Sequence, residues 1–141
     1  MKKGFTLIEA SVALAILGAL VYMASISILG VIPKYKLEKA VWEIRSALNS
    51  ARYRAVFEEV SVRVKLSAGS YAVEKYNESE KRWTLAEKHL LDGVTVDANN
   101  SPLFTPQGTV SGLASIIISN SWGKYKITMA ITGRIKTTRL N

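Results

Sequence analysis

An apolar run of 28 residues, FTLIEASVALAILGALVYMASISILGVI, begins at residue 5 and limits what this chain can fold into more than any other feature. As a helix it would be about 42 Å long, more than the ~20 residues needed to cross a bilayer. It holds a single charge, Glu9. An unpaired carboxylate near mid-bilayer costs on the order of 2–3 kcal/mol, so Glu9 needs a partner or must snorkel to the headgroups near the helix end. Lys2 and Lys3 ahead of the run favour a cytoplasmic N-terminus. Lys34, Lys36 and Lys39 behind it argue weakly the other way, a bias that long exported domains often override. A cleaved secretory signal fits poorly: the run is about twice the usual length, contains a carboxylate and ends without a clean A-x-A site. A plain membrane anchor explains the length but not Glu9.

Residues 33–141 number 109, enough for one modest core of sandwich or α+β type and too few for two domains. After Pro33, Leu37, Val41, Ile44, Leu48, Ala51 and Ala55 recur at spacings of three and four, which gives one apolar stripe. Lys36, Glu38, Lys39, Glu43, Arg45, Asn49, Arg52 and Arg54 make the intervening solvated face. The pattern predicts a helix from Phe5 to near Phe57, apolar all round in its first half and amphipathic in its second, with Pro33 able to bend the junction. The period then changes to two. Val60, Val62, Val64 and Leu66 alternate with polar residues as in a half-buried strand. Strands over residues 71–77, 83–88 and 94–96 are separated by turns at Ala68-Gly69, 78–81 and Asp92-Gly93. Loop signals at 99–102 and 104–108 precede strands over 110–119, 124–132 and 135–140. In the last pair Tyr125, Ile127, Met129 and Ile131 would face inward and Lys124, Lys126 and Thr128 outward. A three-residue turn at Thr132-Gly133-Arg134 would set Ile135 against Ile131 and Lys136 on the outer face. The expected architecture is α+β: a long N-terminal helix, one half membrane-spanning and one half amphipathic, packed on an antiparallel β-rich domain. Its segments are 1–4, 5–32, 33–58 and 59–141.

The start, Lys2-Lys3-Gly4-Phe5-Thr6-Leu7-Ile8-Glu9 before a long apolar helix, resembles the leader of type IV pilins and type II secretion pseudopilins. The resemblance implies that a prepilin peptidase cuts between Gly4 and Phe5 and that Phe5 becomes the N-methylated terminus. It also implies that Glu9 neutralises the terminal amine of an adjacent subunit, since a carboxylate and an ammonium stabilise each other strongly in low dielectric. Many major pilins have a proline that kinks this helix, whereas none precedes Pro33 here, which suits a pseudopilin or minor pilin at least as well. The C-terminal third, Phe104-Thr105-Pro106-Gln107-Gly108, an Ile-rich strand and KYKITMAITGRIK, is similar to the GspH/FimT-type minor pseudopilins. The implied setting is a single pass through the inner membrane with a periplasmic domain. The implied partners are prepilin peptidase and other pilins or pseudopilins in a filament or tip complex.

Nothing in the sequence assembles a catalytic set. There is no cysteine and one histidine, His89, so thiolate and multi-histidine metal sites are excluded and no cofactor is expected. Glu58-Glu59 and Glu74, Glu78 and Glu80 read as solvated charge. No glycine loop suited to phosphate is present, and the expectation is a non-enzyme. The net charge of +8 is uneven: beyond Asp97 come Lys124, Lys126, Arg134, Lys136 and Arg139 with no acid to offset them. Such a face suits an acidic neighbour in an assembly, or DNA. DNA-binding FimT-like minor pilins carry a Gly-Arg-x-Arg motif that Gly133-Arg134-Ile135-Lys136 resembles, with a lysine that cannot fork onto phosphate as arginine does. Trp122, among these cations, could stack on single-stranded nucleic acid or belong to the core.

Overall fold

The computed structural model describes residues 6–140, without the side chains of residues 24–29. The helix α1 (Leu7–Phe57) is followed by β1 (Val62–Ser67), β2 (Ser70–Asn77), β3 (Arg82–Leu90), β4 (Thr95–Ala98), β5 (Leu103–Phe104), β6 (Val110–Ser111), β7 (Ser115–Asn120), β8 (Gly123–Met129) and β9 (Ile135–Leu140). The chain divides into two compact units, Met1–Ile32 and Pro33–Asn141. The architecture is α+β, as the periodicities require: a long helix and antiparallel sheets.

In the first unit the described side chains of residues 6–23 are all exposed, among them Leu7, Ile8, Leu14, Leu17 and Leu20. An apolar helix with nothing against it has not yet met the environment its sequence suits. Pro33, first residue of the second unit, lies inside α1, where it offers no N–H to the helix ladder.

The second unit contains its own core. The α1 stripe buries Leu37, Ala40, Ile44, Ala47, Leu48, Ala51 and Ala55; Val41 is only half-buried, and Ala40 and Ala47 take places beside the stripe read from spacing. They join Val62 and Val64 of β1, Phe104, Ile116 and Ile118 of β7, and Ile127 of β8 in one cluster. Fully burying an Ile or Leu stabilises by roughly 1.5–3 kcal/mol, so this cluster dominates the energetics of the unit. Two sheets supply it, in the orders β3-β2-β1-β5-β6 and β4-β7-β8-β9, with antiparallel pairings throughout. The Val96 N–H donates to the Ala68 carbonyl at 2.8 Å, tying β4 to the β1–β2 turn.

Three strand expectations change, the first being that Leu103–Phe104, at the edge of the turn read over 104–108, forms β5 between β1 and β6. The single strand over 110–119 is two: β6 and β7 lie in different sheets, and residues 112–114 carry the chain between them, starting from Gly112 at φ +79°. The β8–β9 turn also sits one residue earlier. Gly133 N–H donates to the Ala130 carbonyl at 2.8 Å and Ala130 N–H to the Arg134 carbonyl at 2.9 Å, so the loop is Ile131-Thr132-Gly133. This is a three-residue hairpin closed by a left-handed glycine, with Gly133 at φ +82°. Ile135 therefore opposes Met129, and Ile131 at the tip is 64% exposed instead of facing inward. The shift is by two in the ladder, so the side chains that remain in β8 and β9 keep their expected faces, and only Ile131, now in the loop, loses its own.

Candidate assembly site and basic surfaces

Gly4 and Phe5 lie outside the described residues. Glu9, third residue of α1, is half of a reciprocal cap. The Thr6 hydroxyl accepts the Glu9 N–H at 3.2 Å, while Glu9 Oε2 accepts the Thr6 N–H at 3.0 Å and the Thr6 hydroxyl at 2.9 Å. This capping box satisfies two donors that a helix start leaves open. The Thr-x-x-Glu spacing marks this cap in the sequence. Both bonds go to Oε2; among the described residues Oε1 accepts none, and the side chain is exposed.

The five C-terminal cations do not share one surface. Lys124, Lys126 and Lys136 lie on one face of β8 and β9, Lys136 opposite Thr128. Arg139 opposes Tyr125, on the face that carries Ile127 and Met129, and its guanidinium carbon lies 4.2 Å from the Trp122 ring centroid. Arg134 sits beside the turn at the far end of the hairpin. The alternation of β9 decides this: positions 136 and 139 differ by an odd number, and so face opposite ways. Trp122 is half-buried against the core, with Lys34 Nζ also over its ring at 5.5 Å, so the cations already occupy its π-face.

Arg52, read from the sequence as solvated, is a structural seat. Its Nε donates to the Gly108 carbonyl at 3.1 Å. The β5–β6 turn repeats the β8–β9 geometry, with Gly108 at φ +76° and its N–H on the Thr105 carbonyl at 2.9 Å. A methyl on Gly133 would come within 2.6 Å of Arg52 Nε. The Phe-x-Pro-x-Gly and Gly-Arg turns of the C-terminal third thus both close on one helix arginine, 56 residues from Gly108. Polarity alone gave no signal for that.

Four glutamates are held in ion pairs. Glu58 bridges Lys75, Glu74 bridges Arg63, Glu80 bridges Arg82, and Arg54 holds Glu87. His89 stacks on Tyr71, ring centroids 5.0 Å apart, beside a shallow groove of ≈ 230 Å³ that Trp42, Glu43 and Ser50 of α1 also line. No sequence pattern marked this groove. Among the described residues no three His, Cys, Asp or Glu side chains are grouped to hold a metal.

The model of the prokaryotic N-terminal methylation motif matches residues 1–22. The minor pseudopilin EpsH from the type 2 secretion system of Vibrio cholerae superposes with a TM-score of 0.64 at 11% identity, covering 74% of this chain and 97% of that one. The type IV minor pilin FimU of Pseudomonas aeruginosa gives 0.61 at 17% identity, covering 74% and 90%. The fold is type IV pilin-like. A second EpsH structure agrees, with a TM-score of 0.62 at 10% identity, covering 72% of this chain and 92% of that one. No curated protein sequence matches the chain. The pilin-like fold and the methylation motif thus meet in one chain, the motif on the apolar run and the fold carrying the domain. Among the described residues no helix is long and apolar enough to cross a membrane; the side chains of residues 24–29, inside the apolar run, are outside that set.

Proposed function

We propose that this protein is a minor pseudopilin or minor pilin subunit, anchored once in the inner membrane by residues 5–32 with its domain on the periplasmic side. Prepilin peptidase cuts after Gly4, Phe5 becomes the methylated terminus, and the subunit then joins other pilins in a filament or tip complex. The observation that carries this reading is the methylation motif on a helix whose described apolar side chains ahead of Pro33 are all uncovered, while the domain from Pro33 onward closes its own core. Glu9 Oε1, left open by the capping box, is the acceptor for a neighbour's terminal ammonium. In low dielectric that pair neutralises two charges that would each be costly alone.

Mass spectrometry of protein from cells with an active prepilin peptidase should find a mature chain beginning at a methylated Phe5. A mature start near Ala24 or Ser25 overturns the reading. Glu9→Ala should be inserted and cleaved yet absent from sheared filaments; normal incorporation would remove Glu9 from assembly. A second reading, DNA capture during uptake, rests on Lys124, Lys126 and Lys136 sharing one face with no carboxylate partner among the described residues.

A further inference from the structure

The end of the domain next to Pro33 is built around one tryptophan and three unneutralised cations. Asn120, at the β7–β8 turn, donates from Nδ2 to the Pro33 carbonyl at 2.7 Å and accepts the Trp122 N–H at Oδ1 at 2.9 Å. The turn is thereby fixed at the residue where the apolar run ends. Lys34 and Arg139 lie over the Trp122 ring, and Lys124 opposes Leu140 at the same end of the β8–β9 ladder. Among the described residues no carboxylate pairs with Lys34, Lys124 or Arg139. Lys36 and Asp92, also at this end, neutralise each other at 2.8 Å, and Glu38 lies one helical turn beyond Lys34.

We propose that this end of the domain is a membrane-contact surface that binds anionic phospholipid headgroups while the subunit is anchored in the bilayer. The proposal rests on the reading that the apolar run is the anchor. Residues 5–32 as a helix reach about 42 Å, close to the ~40–45 Å thickness of a bilayer with its headgroups. Pro33 then emerges at the outer headgroup boundary, and cations beside it act on lipid phosphates over about a Debye length, ~8 Å. Tryptophan, an apolar body with one N–H, is the side chain that prefers this boundary. Chain geometry separates Arg134, which adjoins the Gly133 turn seated on Arg52, 18 residues and roughly 27 Å along α1 from Lys34. DNA fits this end less well, because an anchored subunit presents it to the bilayer and not to the periplasm.

The test uses the full chain with Trp42→Phe and Trp83→Phe, so that Trp122 alone fluoresces. The chain is reconstituted in vesicles of phosphatidylcholine, with or without phosphatidylglycerol, and flotation establishes insertion. Trp122 should be shielded from an aqueous quencher with phosphatidylglycerol present, exposed without it, and exposed again at high salt. Lys34→Gln and Arg139→Gln should each lower the shielded-to-exposed ratio about fivefold, and Arg134→Gln should leave it unchanged. A chain that fails to float overturns the anchor reading and this proposal with it. A chain that floats with Trp122 equally quenched in both lipids overturns this proposal alone. Shielding by duplex DNA but not by vesicles assigns the surface to nucleic acid instead, and also overturns it.

Discussion

Arg52 shows how far a single residue's role departs from its polarity. It belongs to the face of α1 that spacing marks as solvated, yet its guanidinium seats the Gly108 and Gly133 turns together. Arg52→Ala removes a charge-assisted bond to a carbonyl and the packing of two turns, and should cost the 33–141 fragment about 1–2 kcal/mol in urea unfolding. Arg52→Lys should recover little, since an ammonium cannot reproduce the planar Nε–H placed against a carbonyl. Gly133→Ala should cost about 1–2 kcal/mol from the positive φ and the clash with Arg52. In the Arg52→Ala background that cost should shrink, leaving only the backbone strain; simple additivity would mean the two do not touch. The same lesson applies to Glu9, whose capping box with Thr6 was legible as Thr-x-x-Glu.

Between elements, the link of α1 to β3 has a pH signature. Arg54 donates to Glu87, with Arg54's charge and His89 adding, and holds that carboxyl below the usual glutamate range against the opposing effect of burial. A value depressed in the folded chain contributes stability that is present above the unfolded pKa, roughly 4, and is lost as pH falls through the folded value. Urea midpoints of the fragment should therefore fall on acidification below about pH 4, and less steeply in Glu87→Gln. Tyr71 next to it behaves oppositely. Burial first, then the charges of Glu43 and Glu87, push its phenol up, so its contribution is full below about pH 10 and is lost as pH rises through the folded value. Tyr71→Phe should flatten that alkaline limb, while tyrosinate absorbance in the wild type should lag behind that of a model peptide. A Tyr71→Phe fragment with an unchanged alkaline limb would place the sensitivity elsewhere.

On the scale of the whole molecule, every residue of the core cluster lies between Leu37 and Met129. A fragment of residues 33–141 should therefore unfold as one cooperative unit, checked by coincident circular dichroism and fluorescence transitions. The same fragment tests the DNA reading. Three lysines on one face release about three counterions at most, so duplex affinity should fall with salt at a log–log slope near −2.7, shallower than five aligned cations would give. Lys126→Ala with Lys136→Ala should reduce that slope by nearly two. No binding at low salt would leave the lysine face as an assembly surface.

By itself the sequence determined what short-range order carries: the leader motif, the apolar run, the helix stripe from Leu37 to Ala55 and the alternation through Val62 and Val64. These are periods and spacings within a few residues of one another, and each element's geometry dictates which side chains share a face. It also determined the faces of β8 and β9, because a hairpin shifted by two residues keeps its parity. Tertiary structure alone decided that residues 110–119 divide between two sheets and that Arg52 seats two distant turns. Each of those depends on groups far apart in the chain. A side chain's polarity records only that it needs water or a partner, and the folded chain chooses which.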